Sequence, residues 1–147
     1  MKEILLEKDR YQHLPYSLHD AEMTSLRLKG ENVEMSFRDG ITLAQEPFPK
    51  TGPAAVEIRG IDPDFCFVTL LKTTEKGKAK GKRMSLVDFL GTYPGARMTL
   101  VSELHGYNCV QYSGCMFRRR KRSAKLLEVE MEIYFFGDLV YRFRDEA

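Results

Sequence analysis

Between Leu127 and Phe135 the odd positions are Leu127, Val129, Met131, Ile133 and Phe135, while Glu128, Glu130 and Glu132 fill even ones. A period of two sends every apolar side chain to one face of a strand and every glutamate to the other. The segment is therefore read as a β-strand with one buried face. A second run repeats the pattern, with Val33, Met35 and Phe37 against Glu34, Ser36 and Arg38, and Asp39-Gly40 follows it as a turn signal. If Arg38-Asp39-Gly40 form a three-residue loop with Gly40 left-handed, Phe37 faces Ile41 and the apolar residues through Leu43 share one side. The same register argument at Phe136-Gly137-Asp138 pairs Phe135 with Leu139, Ile133 with Tyr141 and Met131 with Phe143. It also sets Glu132 beside Arg142 and Glu130 beside Arg144. Two hairpins are expected.

Further strands are predicted at 22–29, 55–59, 65–72, 98–105 and 107–117, punctuated by Gly30, Gly60, the prolines at 47, 49 and 53, and a lysine-rich segment. The first dozen residues fit either a strand or a helical turn. In MSLVDFLGTYPG, Ser85 is placed to cap a short helix near 85–91, with Leu86, Phe89 and Leu90 on one side and Gly91 and Pro94 ending it. No repeat or internal boundary interrupts the chain. The expectation is one all-β domain over 1–147, with β-rich α+β as the alternative: a single antiparallel barrel or sandwich of about eight strands and one short helix.

Folding at this length buries roughly 68–70% of the unfolded chain's surface, enough for a core without staples. Cys66, Cys109 and Cys115 form no C-x-x-C pair, so neither a disulfide framework nor a zinc site is indicated, and they read as small buried hydrophobes. No cofactor is implied. The opening MKEILLEKDR holds Glu3 and Glu7 and no signal-length apolar run, and no stretch approaches the ~18 apolar residues of a membrane span. A cytoplasmic protein with no membrane partner is expected.

The net charge of +2 conceals an uneven distribution. Residues 72–83 (KTTEKGKAKGKR) and 118–125 (RRRKRSAK) hold 12 of the 23 Lys and Arg but only Glu75 of the 21 acidic residues. Read functionally, Arg118, Arg119, Arg120, Lys121 and Arg122 form a phosphate-binding loop, and Lys76, Lys78, Lys80 and Lys82 a second arm made flexible by Gly77 and Gly81. Tyr107, Tyr112 and Phe117 lie near the run, and a sheet with surface aromatics and basic loops suits single strands. The competing reading has its own physical basis. The glutamate row repels itself unless cations flank it, and Arg142 and Arg144 on one side with Arg118, Arg119 or Arg120 on the other would supply them. A sequence pI near 8.4 favours this second reading, since nucleic-acid binders commonly exceed ~9.

Candidates for chemistry are few: His13, His19, Asp20, Glu103 and His105. A proton-relay pair of His19 and His105 would need the fold to bring them together, and their spacing in the chain gives no support for it. The histidines match no metal motif, and nucleophile elbow, P-loop and dinucleotide fingerprints are absent. His19-Asp20 is read as a structural turn at a strand entrance, and no catalytic residue is assigned.

LPYSLHDAEMTSLRL followed by an alternating strand and FRDGI, roughly residues 14–43, resembles a loose group of small bacterial proteins. These open with an L-H-D-[small] turn into an antiparallel sheet, and some are similar to immunity proteins of toxin systems. The resemblance implies a stoichiometric binder whose charged loops face a complementary partner, with His19 and Asp20 as a shared turn. The function expected is thus a non-enzymatic protein-interaction module with a protein partner. The alternative is nucleic-acid or anionic-ligand binding through loops 72–83 and 118–125. A third is a ligand cavity lined by residues such as Phe65, Phe67, Leu100, Val129, Met131 and Ile133, against which a filled core is preferred.

Overall fold

The computed structural model describes residues 2–6, 14–73, 76–120 and 123–144, with only the backbone described at 6, 73, 79, 118–120 and 123–125. The elements are β1 (Lys2–Leu6), β2 (Tyr16–Ser17), β3 (Glu22–Met23), β4 (Ser25–Lys29), β5 (Asn32–Phe37), β6 (Thr42–Leu43) and β7 (Ala54–Ile58). They continue with β8 (Phe67–Thr73), β9 (Ala79–Ser85), α1 (Leu86–Thr92), β10 (Met98–Gly106), β11 (Cys109–Arg120), β12 (Ser123–Tyr134) and β13 (Leu139–Phe143). Three sheets result: β1-β13-β7-β5-β4, β3-β10-β11-β12-β8-β9 and the pair β2-β6. All pairings are antiparallel.

The alternation at 127–135 and 33–37 does what a period of two requires. Val129, Met131 and Ile133 from the larger sheet and Val33, Met35, Phe37, Val56 and Tyr141 from the other join one hydrophobic cluster. Ser85 caps α1, its Oγ accepting the Asp88 N–H at 3.1 Å, and Leu86 and Phe89 are buried. The helix runs through Gly91 to Thr92 instead of stopping at the glycine.

Among the described residues thirteen strands stand where eight or so were expected, and two of the additions have identifiable reasons. The 22–29 run is interrupted at Thr24, whose N–H donates to the Ser36 carbonyl at 2.7 Å, so that β3 and β4 belong to different sheets. The lysine-rich segment, expected as a loop, continues beyond its turn into β9.

Neither expected hairpin forms. Phe135 bridges to Ile61, the Phe136 N–H donates to the Gly60 carbonyl at 2.8 Å, and the Gly137 N–H donates to the Arg59 carbonyl at 2.9 Å. A Cβ on Gly137 would strike the Arg59 backbone, so glycine permits this close crossing. The connection then leads to the other sheet, where Tyr141 lies opposite Ile4 and Val56 while Ile133 stays opposite Val110. At Arg38-Asp39-Gly40 the turn itself forms, with Gly40 at φ 83° and its N–H on the Phe37 carbonyl at 3.1 Å. Ile41, however, donates to Thr51 Oγ1 at 3.1 Å, and β6 pairs with β2, not β5.

On the face of the five-stranded sheet away from the core, Glu34 and Glu57 lie opposite each other and are both buried. Arg27 and Lys29 bind Glu34 at 3.1 and 3.0 Å, and Arg142 bridges Glu57 at 3.0 Å and Glu3 at 2.8 Å. Arg59 donates to Glu57 as well. Burial works against the Glu57 carboxylate, yet hydrogen bonds from Arg59 and Arg142 hold it below the usual carboxylate range.

Candidate functional site

The two basic segments are far apart in sequence but belong to neighbouring hairpins. β11 and β12 pair continuously from Cys109↔Tyr134 to Arg120↔Ser123, and β8 and β9 from Phe67↔Ser85 to Thr73↔Ala79. β12 and β8 are themselves adjacent and antiparallel, with Glu132 opposite Phe67 and Glu128 opposite Leu71. Moving from Glu128 towards Ser123 on β12 and from Leu71 towards Thr73 on β8 is therefore moving in one direction. Both hairpins close at the same end of the sheet, and strand rise carries β12 about 17 Å past Glu128.

That end collects the basic residues. Lys72 lies opposite Lys80, and Lys82 opposite Leu70. Lys76 and Lys78 occupy the turn, and Lys76, Lys78, Lys80 and Lys82 are all exposed. Arg118, Arg119 and Arg120 are the last residues of β11, opposite Lys125, Ala124 and Ser123. Lys121 and Arg122 lie outside the described residues.

The glutamate row is placed elsewhere. Glu128 is opposite Cys115 and Leu71, Glu130 opposite Ser113 and Thr69, and Glu132 opposite Gln111 and Phe67. Arg83 reaches it, with Nη2 3.2 Å from Glu132 Oε2 and its guanidinium 4.1 Å from the Phe67 ring centroid. Arg142 is in the other sheet, engaged with Glu3 and Glu57, so the expected pairing with Glu132 does not occur. Nor do Arg118, Arg119 and Arg120 lie opposite a glutamate. The register therefore pairs neither Arg142 nor Arg118, Arg119 and Arg120 directly with the glutamate row.

His19 and Asp20 form a tight turn, Asp20 at φ 62°, with the Asp20 N–H donating to the Leu100 carbonyl at 2.8 Å and the Ala21 N–H to Leu18 at 3.0 Å. His19 Nδ1 meets the Val101 carbonyl, and its Nε2 is 3.4 Å from Asp20 Oδ2. His105 and Glu103 share a face of β10, and their side chains are covered: His105 Nε2 meets Glu103 Oε2 at 3.2 Å, while Glu103 Oε1 accepts the Leu18 N–H at 3.1 Å. The fold ties both histidines to β10 but keeps one at the surface and the other under cover, an arrangement unlike a shared acid–base site. His13 lies outside the described residues.

Of the residues considered for a cavity, Leu100, Val129, Met131 and Ile133 are core, whereas Phe65 is 59% exposed and Phe67 carries Arg83. Among the described residues no three His, Cys, Asp or Glu gather as metal ligands, and no helix is long and apolar enough to cross a membrane. Cys66 is buried, but Cys109 and Cys115 are only partly covered. Burial pushes the Cys66 and Cys109 thiols up, the opposite of an activated nucleophile.

Two apolar clusters emerge only in the fold, although Phe117 stood out in the sequence as an aromatic near the basic run. Phe117, 71% exposed, faces Leu126, 52% exposed, on the strands leading to the basic end. At the other end of β12, Tyr134 lies 5.9 Å from the Phe65 ring and 5.3 Å from that of Phe136. The exposed side of β12 thus reads apolar, acidic, aromatic along its length, a pattern visible in the alternation once the strand's outer face is known. No protein-family model, curated protein or solved structure matches the chain.

Proposed function

We propose that this protein is a non-enzymatic binding module that holds the phosphate backbone of a nucleic acid across the shared end of the β8–β9 and β11–β12 hairpins. The observation that carries this reading is the β12–β8 register, which brings the two basic segments to the same end of one sheet. Lys72 and Lys80 face each other directly, a like-charge pairing that is unfavourable until an anion lies over it. Clustered cations at the end of a sheet neutralise phosphates and release their counterions. Stacking of the two large sheets into a sandwich, with the hairpins projecting beyond it, completes the proposed architecture.

The test is fluorescence anisotropy of a labelled oligonucleotide at about 50 and 200 mM salt. Six phosphate contacts on a single strand should weaken binding roughly 300-fold between those salts. Replacing Lys76, Lys78, Lys80 and Lys82 by serine, or Arg118, Arg119 and Arg120 by serine, should each flatten the salt dependence. Absence of binding at the lower salt would overturn the reading.

A second reading, a protein partner of the immunity-like kind, draws on the Phe65, Tyr134 and Phe136 cluster, since exposed aromatics are the residues that anchor protein interfaces. It predicts that Tyr134→Ala and Phe136→Ala abolish capture of a partner that the serine variants still bind.

A further inference from the structure

We infer that the nucleic acid is single-stranded and that Phe117 is the platform on which one of its bases stacks. This rests on the basic-end reading and adds to it the class of ligand. Phe117 precedes Arg118 in β11, on the face of the sheet away from the core, and is 71% exposed. Leu126 opposite it is 52% exposed, so the two form an apolar step directly inside the cationic end. Beside that step lies a groove of about 580 Å³ lined in part by Glu22, Tyr93, Arg97, Thr99, Cys115 and Phe117. Its volume falls within the ~300–1,000 Å³ typical of small-ligand clefts.

Charge complementarity and shape select the occupant together. A cationic surface alone would accept any polyanion, duplex included. A duplex keeps the flat faces of its bases stacked on one another and offers a protein only their edges. An unpaired base presents a π-face, and an exposed aromatic beside a phosphate-binding surface is how sequence-tolerant single-strand binders use it. Arg97 and Glu22 then give the groove a donor and an acceptor for the edge of a base lying in it.

The experiment compares an oligothymidylate of about 20 nucleotides, a duplex of equal length and heparin, each titrated with the parent, Phe117→Ala and Phe117→Trp at one low salt. The parent should prefer the oligothymidylate to the duplex. Phe117→Ala should lose roughly 5- to 150-fold in affinity for the single strand, the range for one stacked base, with heparin binding and the salt slope unchanged. Phe117→Trp should retain it, and the exposed position should leave thermal unfolding of both variants unaltered. Equal binding of duplex and single strand, or a Phe117→Ala variant indistinguishable from the parent, would overturn this inference while leaving the basic-end reading standing. Failure of the parent to bind even heparin would overturn both.

Discussion

Glu57→Gln should destabilise the fold by about 2 kcal/mol at neutral pH, and the structure shows why. The Glu57 side chain is 9% exposed and receives hydrogen bonds from Arg59 Nε and from Arg142 Nη1 at 3.0 Å and Nη2 at 3.4 Å. Glutamine keeps the size and one acceptor oxygen but removes the charge that holds both guanidinium groups. Hydrogen bonds to charged groups contribute ~1.5–3 kcal/mol each, and breaking a fully buried pair costs ~3–5 kcal/mol. Arg142 retains Glu3 at 2.8 Å and Arg59 is 33% exposed, which puts the loss at the lower end of that scale. For a chain of this length, about 2 kcal/mol lowers the midpoint of thermal unfolding by roughly 4–8 °C.

The pH dependence has a definite sign. Because the folded protein holds Glu57 below its ordinary range, its contribution is fully present above that range and is lost as pH falls through the lowered folded value. Urea unfolding followed by circular dichroism at pH 7 and at about pH 3 should therefore show the gap between parent and Glu57→Gln shrinking towards acid. A gap under ~0.5 kcal/mol at pH 7, the range of ordinary surface substitutions, would refute the argument, as would one that widens in acid.

Ser85→Ala removes the oxygen that accepts the Asp88 N–H and should cost about 1 kcal/mol in denaturant unfolding. Gly40→Ala, at φ 83° with its new methyl driven against the Thr51 and Gly52 carbonyls, should cost at least ~2 kcal/mol. Glu103→Leu leaves the Leu18 N–H without its acceptor, so hydrogen exchange at that amide should accelerate and stability fall by ~1–3 kcal/mol.

The faces of β5 and β12 were legible because a period of two is a property of each strand alone. Their partners were not, because register arguments compare only segments that follow one another in the chain. Pairing Phe135 with Leu139 satisfied both faces on paper, yet Gly137 crosses over Arg59 and delivers β13 to the other sheet. The contact that decides this lies between residues almost 80 positions apart. Glu34 illustrates the same limit: it alternates as a solvent residue, but β5 is an inner strand, and Arg27, Lys29 and Arg142 close over it. β9 was hidden by its composition, since the lysines and glycine of AKGKRMS signal a loop, although lysines also suit the edge strand of a sheet. The basic segments were legible as charge. Their adjacency was not, because it depends on β12 pairing with β8, strands separated by β9, α1, β10 and β11.

Whether both hairpin tips hold the same strand can be read with a short probe. An oligonucleotide of about eight nucleotides, within the ~4–16 that a small β domain covers, should be titrated with the parent, the lysine-tip variant, the arginine-tip variant and their combination. One continuous surface predicts that each single variant weakens binding of this same short strand and that the combined variant weakens it further. Sensitivity to only one tip, or to neither, would contradict the account.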